Sequence, residues 1–404
     1  MTTDARRFEL VEGSSSKFWQ ISIEGSSFTV TYGRIGTAGT SKTTACASSE
    51  EAQAEAGKLI AEKTRKGYQE LGAKESNWRP PAHIGTDTHI GRFLNYKVTG
   101  FDPDADGESD DEGGRSYAAL RDLDKRVFRI GIGYDDDDSV FTSRLDALLA
   151  DKRLGELRGL VIGQWYGDVC DYGPKTNLFG RLIAGASKLT SLKGLFVGDI
   201  IQEECEISWL HQNDYSPLLH ALPQLEELVV RGGNGLRFGK LKHAALRSLT
   251  VQSGGLSSQT VQDVVSADLP ALRTLTLWLG VDEYGGTSTV ADLKPLLDGT
   301  RFPSLEHLGL QDSDNADAIA KAVAQSPLLG RLKGLDLSMG TLSDEGAQAL
   351  LDAPAVRNLK HLNLRHHYLS LGMVKKIRAL GIPVDVSERR EAEDEGDRYA
   401  EVTE

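Results

Sequence analysis

Between Leu154 and Leu364 one apolar phrase recurs eight times: an aliphatic residue or Phe, two residues, Leu, two residues, Leu, one residue, an aliphatic residue. The copies are Leu154-Leu157-Leu160-Ile162, Leu189-Leu192-Leu195-Val197, Leu222-Leu225-Leu228-Val230, a looser His243-Leu246-Leu249-Val251, Leu269-Leu272-Leu275-Leu277, Phe302-Leu305-Leu308-Leu310, Leu329-Leu332-Leu335-Leu337 and Val356-Leu359-Leu362-Leu364. One such unit cannot bury its own apolar face, so copies must stack on their neighbours as a solenoid. The closing Leu-x-aliphatic alternation predicts a strand whose Leu side points to the core and whose intervening residues point away. Helical patterns follow several strands, most clearly over Thr260–Ser266, Asp317–Gln325 and Ser343–Leu351, the last with Ser343 as cap. The strand Val127–Ile132 and the amphipathic stretch Phe141–Leu149 lead into the first full copy.

The first 75 residues carry a different pattern. Phe8–Glu12, Phe18–Ile23, Phe28–Tyr32 and Thr40–Ala45 read as short strands separated by Gly- and Ser-rich turns. A helix starting at Ser48 or Ser49 keeps helical spacing as far as Tyr68. An antiparallel meander covered by one helix is the expected arrangement.

Two resemblances follow from these patterns. Lys17-Phe18-Trp19-Gln20-Ile21, Val30-Thr31-Tyr32-Gly33-Arg34-Ile35-Gly36, Gly39 and Lys63-Thr64-Arg65-Lys66-Gly67-Tyr68 resemble the WGR domain of poly(ADP-ribose) polymerases and bacterial MolR-like proteins. Tyr32 replaces the Trp of the family's Trp-Gly-Arg triplet, and Thr40 stands where Gln is usual. The repeats, spaced 35, 33, 21, 26, 33, 27 and 27 residues between their second Leu positions, resemble leucine-rich repeats of the ribonuclease-inhibitor type. Together they imply an α/β chain: a small antiparallel-sheet-plus-helix WGR domain at 1–75 and a curved solenoid at 127–386 with a parallel sheet on its concave face. The expected remainder is a linker over 76–126 with an acidic disordered stretch at 102–114, and an acidic disordered tail at 387–404.

Charge refines this outline. The chain carries a formal net charge of −13, but Asp102–Glu112, Asp135–Asp138 and Ser387–Glu404 together hold −16. The rest is therefore about +3, and acidic segments do not exclude a nucleic-acid surface elsewhere. Residues 1–75 hold ten basic and ten acidic side chains, a weak electrostatic footprint. Cys46, Cys170 and Cys205 lie far apart in sequence and read as three structural thiols of a cytoplasmic protein, and MTTDARRFEL has no apolar core of an export signal. No apolar run approaches the roughly 20 residues of a membrane span.

The WGR resemblance implies that Tyr32, Gly33 and Arg34 grip the backbone of nucleic acid, with DNA ends as the implied target. Arg34 would meet phosphate with its planar fork, and Tyr32 would stack on a sugar or base. Lys42, Lys63, Arg65 and Lys66 are candidates for further phosphate contacts. On the inner face of the solenoid, Phe196, Val229, Trp278, Gln311, Asp336, His361, Asn363 and Arg365 are the candidate contacts for a protein partner. Trp278 is expected to project near the middle of the arc as a hot spot. His366 and His367 read as surface residues.

Asp102–Gly113 imitates a calcium loop but places Gly113 where a bidentate Glu is needed. Asp135–Asp138 could hold a divalent cation only weakly. No phosphate loop, nucleophile elbow, Cys-His pair or metal signature appears. The expectation is a non-catalytic bacterial binding protein without cofactor or metal. The competing expectation is a protein-only inhibitor or immunity factor whose acidic surface captures a basic partner such as a nuclease.

Overall fold

The computed structural model describes all residues except 1–5, 13–14, 36, 38, 66–67, 72–78, 104–108, 111–115, 134–135, 168–176, 393–397 and 403–404. The chain divides into two compact units, Met1–Arg79 and Pro80–Glu404.

The first unit is a five-stranded antiparallel sheet with one helix. Strands β1 (Arg6–Glu12), β2 (Ser15–Glu24), β3 (Ser27–Arg34) and β4 (Thr40–Ala45) precede helix α1 (Ser49–Arg65) and strand β5 (Gln69–Leu71). The sheet order is β4-β3-β2-β1-β5. Phe8, Trp19, Ile21 and Phe28 bury themselves against Ala52 and Ala56 of the helix. The β3–β4 turn depends on glycine. Gly39 has φ +73, and a Cβ there would stand 2.5 Å from Phe18 Cζ and 2.8 Å from the Tyr32 carbonyl oxygen. Gly39→Ala should therefore destabilise this unit by more than about 1 kcal/mol; a thermal melt of the variant superimposing on wild type would contradict this.

The second unit is built on a fourteen-stranded sheet. After β6 (Arg92–Phe93), β7 (Tyr96–Phe101), β8 (Ser109–Asp110) and β9 (Ser116–Ala118) come ten strands that pair in chain order, all parallel. They are β10 (Arg126–Ile130), β11 (Gly159–Ile162), β12 (Gly194–Val197), β13 (Glu227–Arg231), β14 (Ser248–Gln252), β15 (Thr274–Gly280), β16 (His307–Ser313), β17 (Gly334–Asp336), β18 (His361–Asn363) and β19 (Val384–Asp385). The register is the repeat made visible. Leu160, Leu195, Leu228, Leu249, Leu275, Leu308, Leu335 and Leu362 pair successively across the sheet. All eight are fully buried in one continuous core, each contributing about 1.5–3 kcal/mol of transfer free energy.

Helices pack on this leucine side. They include α2 (Asp138–Ala150), α3 (Leu178–Gly185), α4 (Ser216–Ala221), α5 (Ser258–Val265), α6 (Val290–Leu297), α7 (Ala316–Ala324), α8 (Asp344–Asp352) and α9 (Leu371–Arg378). The 21-residue step between β13 and β14 is too short for a helix and returns through irregular chain. Asp136 and Asp137 are spent on local capping, accepting from Gly133 N (2.9 Å) and Ser139 N (2.8 Å).

Several expectations need correction. Residues from Pro80 onward do not form a free linker: β7 and β9 add to the parallel sheet, and Phe93 packs on Val127, Val161, Phe196 and Val229. The apolar cluster Phe93-Leu94-Asn95-Tyr96 supplies the reason. Of the acidic stretch 102–114, residues 104–108 and 111–115 lie outside the described residues. Within 387–404, residues 398–402 pack on the second unit, because Arg398, Glu401 and Val402 find ionic and apolar partners there. Cys205 is disulfide-bonded and Cys46 is free, while Cys170 lies outside the described residues. Sequence separation carries no information on thiol proximity, so the reading of three free thiols does not hold. His366 and His367 are buried; His367 accepts from Leu369 N (3.1 Å) and its Nε2 lies 3.3 Å from the Val386 carbonyl oxygen. Among the described residues, no helix is long and apolar enough to cross a membrane.

Candidate functional site

In the first unit, strand pairing decides which side chains share a surface. Trp19 lies opposite Tyr32, Lys17 opposite Arg34, and Val30 opposite Lys42. Directly opposed residues point to the same side of a sheet. Trp19, Val30 and Phe28 face the core under α1, so Tyr32 and Arg34 continue that face beyond the helix. Tyr32 is 51% exposed there. Lys63 of α1 reaches the same region, its Nζ 6.0 Å from the Trp19 ring centre and 5.6 Å from that of Tyr68. The opposite face is uncharged in its strand centre, where Thr29 bonds Thr43 and Thr31 bonds Ser41, both at 2.8 Å.

Among the described residues, Lys17, Arg34 and Lys42 have no ion-pair partner. An aromatic ring flanked by uncommitted cations is the arrangement that stacking plus phosphate contact requires. Gly33 is held close: its missing Cβ would stand 2.9 Å from Gly39 Cα and 3.2 Å from Phe18 Cε1. The Arg34 carbonyl oxygen accepts from Thr37 N (3.0 Å) and Thr37 Oγ1 (2.8 Å), which fixes the turn after the triplet. Lys66 and the side chain of Arg65 lie outside the described residues.

In the second unit the sheet face opposite the leucines has two halves. Its amino-terminal half is apolar, with Val127, Val161, Phe196 and Val229 covered by Phe93, Leu94, Ile84 and Ile90. Its carboxy-terminal half is polar. Pro80–Ile84 crosses it and encloses a pocket of about 100 Å³ lined by His83, Thr276, Trp278, His307, Gln311, Asp336, His361 and Asn363, among others. Gly309 packs beside the lining residue Thr276, which a Cβ there would approach to 3.1 Å.

Five of the eight residues expected to face a partner thus do gather at one place: Trp278, Gln311, Asp336, His361 and Asn363. Their exposure is the correction. Trp278 is 1% exposed, donates from Nε1 to Gln311 Oε1 at 3.0 Å, and stacks on His83 at 6.1 Å between ring centres. Ile207, Met339 and Val402 complete its cover. Phe196 and Val229 are buried as well. Alternation placed these side chains on the correct face, but the chain lays its own segments across that face.

The covering segment is fastened by buried charge. Arg129 donates from Nε to Asp199 Oδ2 (2.8 Å) and from Nη2 to the Asp199 carbonyl (2.7 Å); His89 lies 3.1 Å from Glu204 Oε1. Ile90 N donates to Asp199 Oδ1 (3.1 Å). Arg231, fully buried over the Phe196 ring, donates to the carbonyls of Ile200 (2.7 Å) and Gly85 (2.6 Å), while its Nε meets Gln252 Oε1 at 2.9 Å. Gln252 in turn donates to the Ile84 carbonyl.

Burial would push the Asp199 carboxyl up, but the hydrogen bond to His89 and the charges of Arg129, His89 and Arg231 outweigh it and hold it at about 2. Burial lowers Arg231 to about 10. His89 is pulled down by burial and up more strongly by Asp199 and Glu204, for a net rise. In the pocket, burial holds His307 down at about 4, so its imidazole is neutral at neutral pH. Among the described residues no cluster of His, Cys, Asp and Glu has a geometry that could hold a metal ion. Thr276 falls on the face that the strand alternation assigns to it, whereas His83 and His307 escaped the sequence reading. The alternation at His307, Gly309 and Gln311 could have found His307, but nothing local signals that His83 folds back.

Residues 5–75 match the WGR domain family, and the first unit is a WGR domain. It precedes a large, mostly parallel α/β sheet unit. The crystal structure of a protein from Bacteroides fragilis matches with a TM-score of 0.62 and 31% identity, covering 99% of this chain and 100% of that chain. The chain belongs to one family with that protein. A stretch of 65 residues is also 45% identical to Uncharacterized protein YfeS of Escherichia coli (strain K12), 16% of this chain. The chain spans 27% of the length of that curated relative.

Proposed function

We propose that this is a non-catalytic binding protein whose WGR domain contacts nucleic acid, DNA ends in particular, while the parallel-sheet unit works as a leucine-rich-repeat solenoid that binds a protein. The observation that carries the nucleic-acid half is Tyr32, half exposed beside Arg34 and Lys42, neither paired among the described residues. The in-order parallel ladder and leucine register support the solenoid half. The face offered to a protein is narrower than the alternation pattern implies: His361, Asn363, Asp336 and Arg365 at its carboxy-terminal end retain partial exposure.

A mobility-shift assay with blunt, nicked and single-stranded DNA tests the first half. Arg34→Ala should weaken end binding by roughly tenfold or more, the scale of one lost charge-assisted contact. Equal binding by variant and wild type at several salt concentrations would remove this mechanism. The second reading, a protein-only inhibitor, is favoured by the net charge of −13, which suits a basic partner. It requires that the protein inhibit a basic nuclease and ignore DNA, and His361→Ala/Asn363→Ala should abolish that inhibition.

A further inference from the structure

Residues 398–402 lie across the carboxy-terminal end of the inner face as an extended segment held in a defined way. Glu401 N donates to the Met339 carbonyl at 2.7 Å, and Val402 N donates to Asp312 Oδ1 at 2.9 Å. Tyr399 N donates to the Tyr368 hydroxyl at 2.9 Å. The Arg365 guanidinium takes both carboxylate oxygens of Glu401, Nη1 to Oε1 at 2.8 Å and Nη2 to Oε2 at 2.5 Å. Arg398 meets the Thr341 carbonyl and Asp317. The Val402 side chain closes the apolar cluster of Ile207, Trp278 and Met339. Three of these bonds use the segment's own amides, at Tyr399, Glu401 and Val402; its side chains add a carboxylate for Arg365, a guanidinium for Asp317 and the Thr341 carbonyl, and an apolar group for the cluster.

The receptor side is formed at a cost. Asp312 is fully buried at φ +55, a left-handed conformation rare for a side-chain-bearing residue. Its Oδ1 accepts from Val402 N, and among the described residues its Oδ2 has no hydrogen-bond partner. A buried carboxyl in strained backbone, with one oxygen aimed at the amide of a separate segment, is expensive to keep for stability. Such features cluster where a ligand is gripped. Arg365 is drawn to the same place by Glu388 as well as Glu401.

We propose that the groove formed by Asp312, Met339, Arg365 and Tyr368 is a recognition site for an extended acidic peptide of a partner protein, one with Glu followed by an apolar residue. Residues 398–402 then fill the groove in cis as a competing occupant. This rests on the reading that the sheet unit captures a protein, and it gives that capture a ligand chemistry: a strand of peptide read through its amides, one carboxylate and one aliphatic side chain.

The test uses the full chain and a pentapeptide, Arg-Tyr-Ala-Glu-Val, blocked at both ends. Hydrogen exchange of wild type is followed with and without excess peptide. Amides of 398–402 should exchange faster when the peptide displaces them, and the same peptide with Gln for Glu should have no effect. By fluorescence anisotropy, Glu401→Gln should bind the labelled peptide about tenfold tighter than wild type, since the cis competitor loses its charge-assisted bond. Adding Arg365→Ala to that variant should remove binding. Unchanged exchange of 398–402 at saturating peptide overturns the proposal in the unmodified protein, whatever the folding of the variants. Should His361→Ala/Asn363→Ala still lose a captured partner in that event, the groove inference fails while the capture reading stands. Normal capture by that variant removes the capture reading itself.

Discussion

Asp199→Ala is expected to lower the unfolding free energy of the second unit by about 3–5 kcal/mol, the cost of stranding a buried guanidinium without its carboxylate. Arg129 would keep its place beneath Pro80–Gly91 with only carbonyl and imidazole partners, and Ile90 N would lose its acceptor. Urea denaturation should show a large drop in midpoint at an unchanged slope. A loss below about 1 kcal/mol would mean that water reaches Arg129 and that the covering segment is not fastened by charge.

The same network fixes a pH dependence. The Asp199 carboxyl lies at about 2 in the folded chain, against about 3.9 in the unfolded one. A depressed acid stabilises above its unfolded value, so its contribution of about 2–3 kcal/mol is complete above pH ~5 and is lost as pH falls toward 2. His89 acts oppositely. Its folded pKa is raised above 6.5, so its contribution is complete below that value and is lost as pH rises through the folded pKa. The contribution of this pair should therefore be greatest in mildly acidic solution, while buried His307, held down at about 4, loses stability as pH falls below its unfolded value; Asp199→Ala should flatten the acid limb. An unchanged acid limb in the variant would contradict this assignment.

Trp278→Ala is the second large effect, at about 3–5 kcal/mol for removing a fully buried indole. It also strands the Gln311 side chain and removes the surface on which His83 stacks. The loss should therefore appear locally as well as globally: residues 80–84 should become protease-sensitive or exchange faster before the leucine core opens. Global destabilisation with unchanged protection of 80–84 would show that the stacking does not hold this segment.

The repeat was legible because its cause is local. An apolar residue at each phrase position has one place to go, and the observed pairing of Leu160 through Leu362 follows from it. The WGR unit was legible for the same reason: Trp19, Phe28 and Gly39 are demanded by one sheet and one turn. What could not be read is how distant segments return. Alternation told which side of the strand Trp278 occupies, but exposure depends on His83 and Val402, some 195 residues upstream and 124 downstream. Arg129, Asp199 and Arg231 are likewise unremarkable in sequence. They lie on or beside separate strands and converge only because parallel pairing in chain order stacks those strands. The acidic composition of 387–404 pointed to solvent, yet Glu401 meets Arg365, which also holds Glu388, because the inner face presents a guanidinium there.

The most direct measurement of the central proposal is the salt dependence of DNA-end binding by the full chain, compared with Arg34→Ala and Lys42→Ala. Each phosphate contact contributes about 0.9 to the slope of log affinity against log salt on duplex DNA. Each substitution should therefore flatten the slope by roughly that amount as it weakens binding. Affinity and slope unchanged in both variants would mean that the surface around Tyr32 does not meet phosphate.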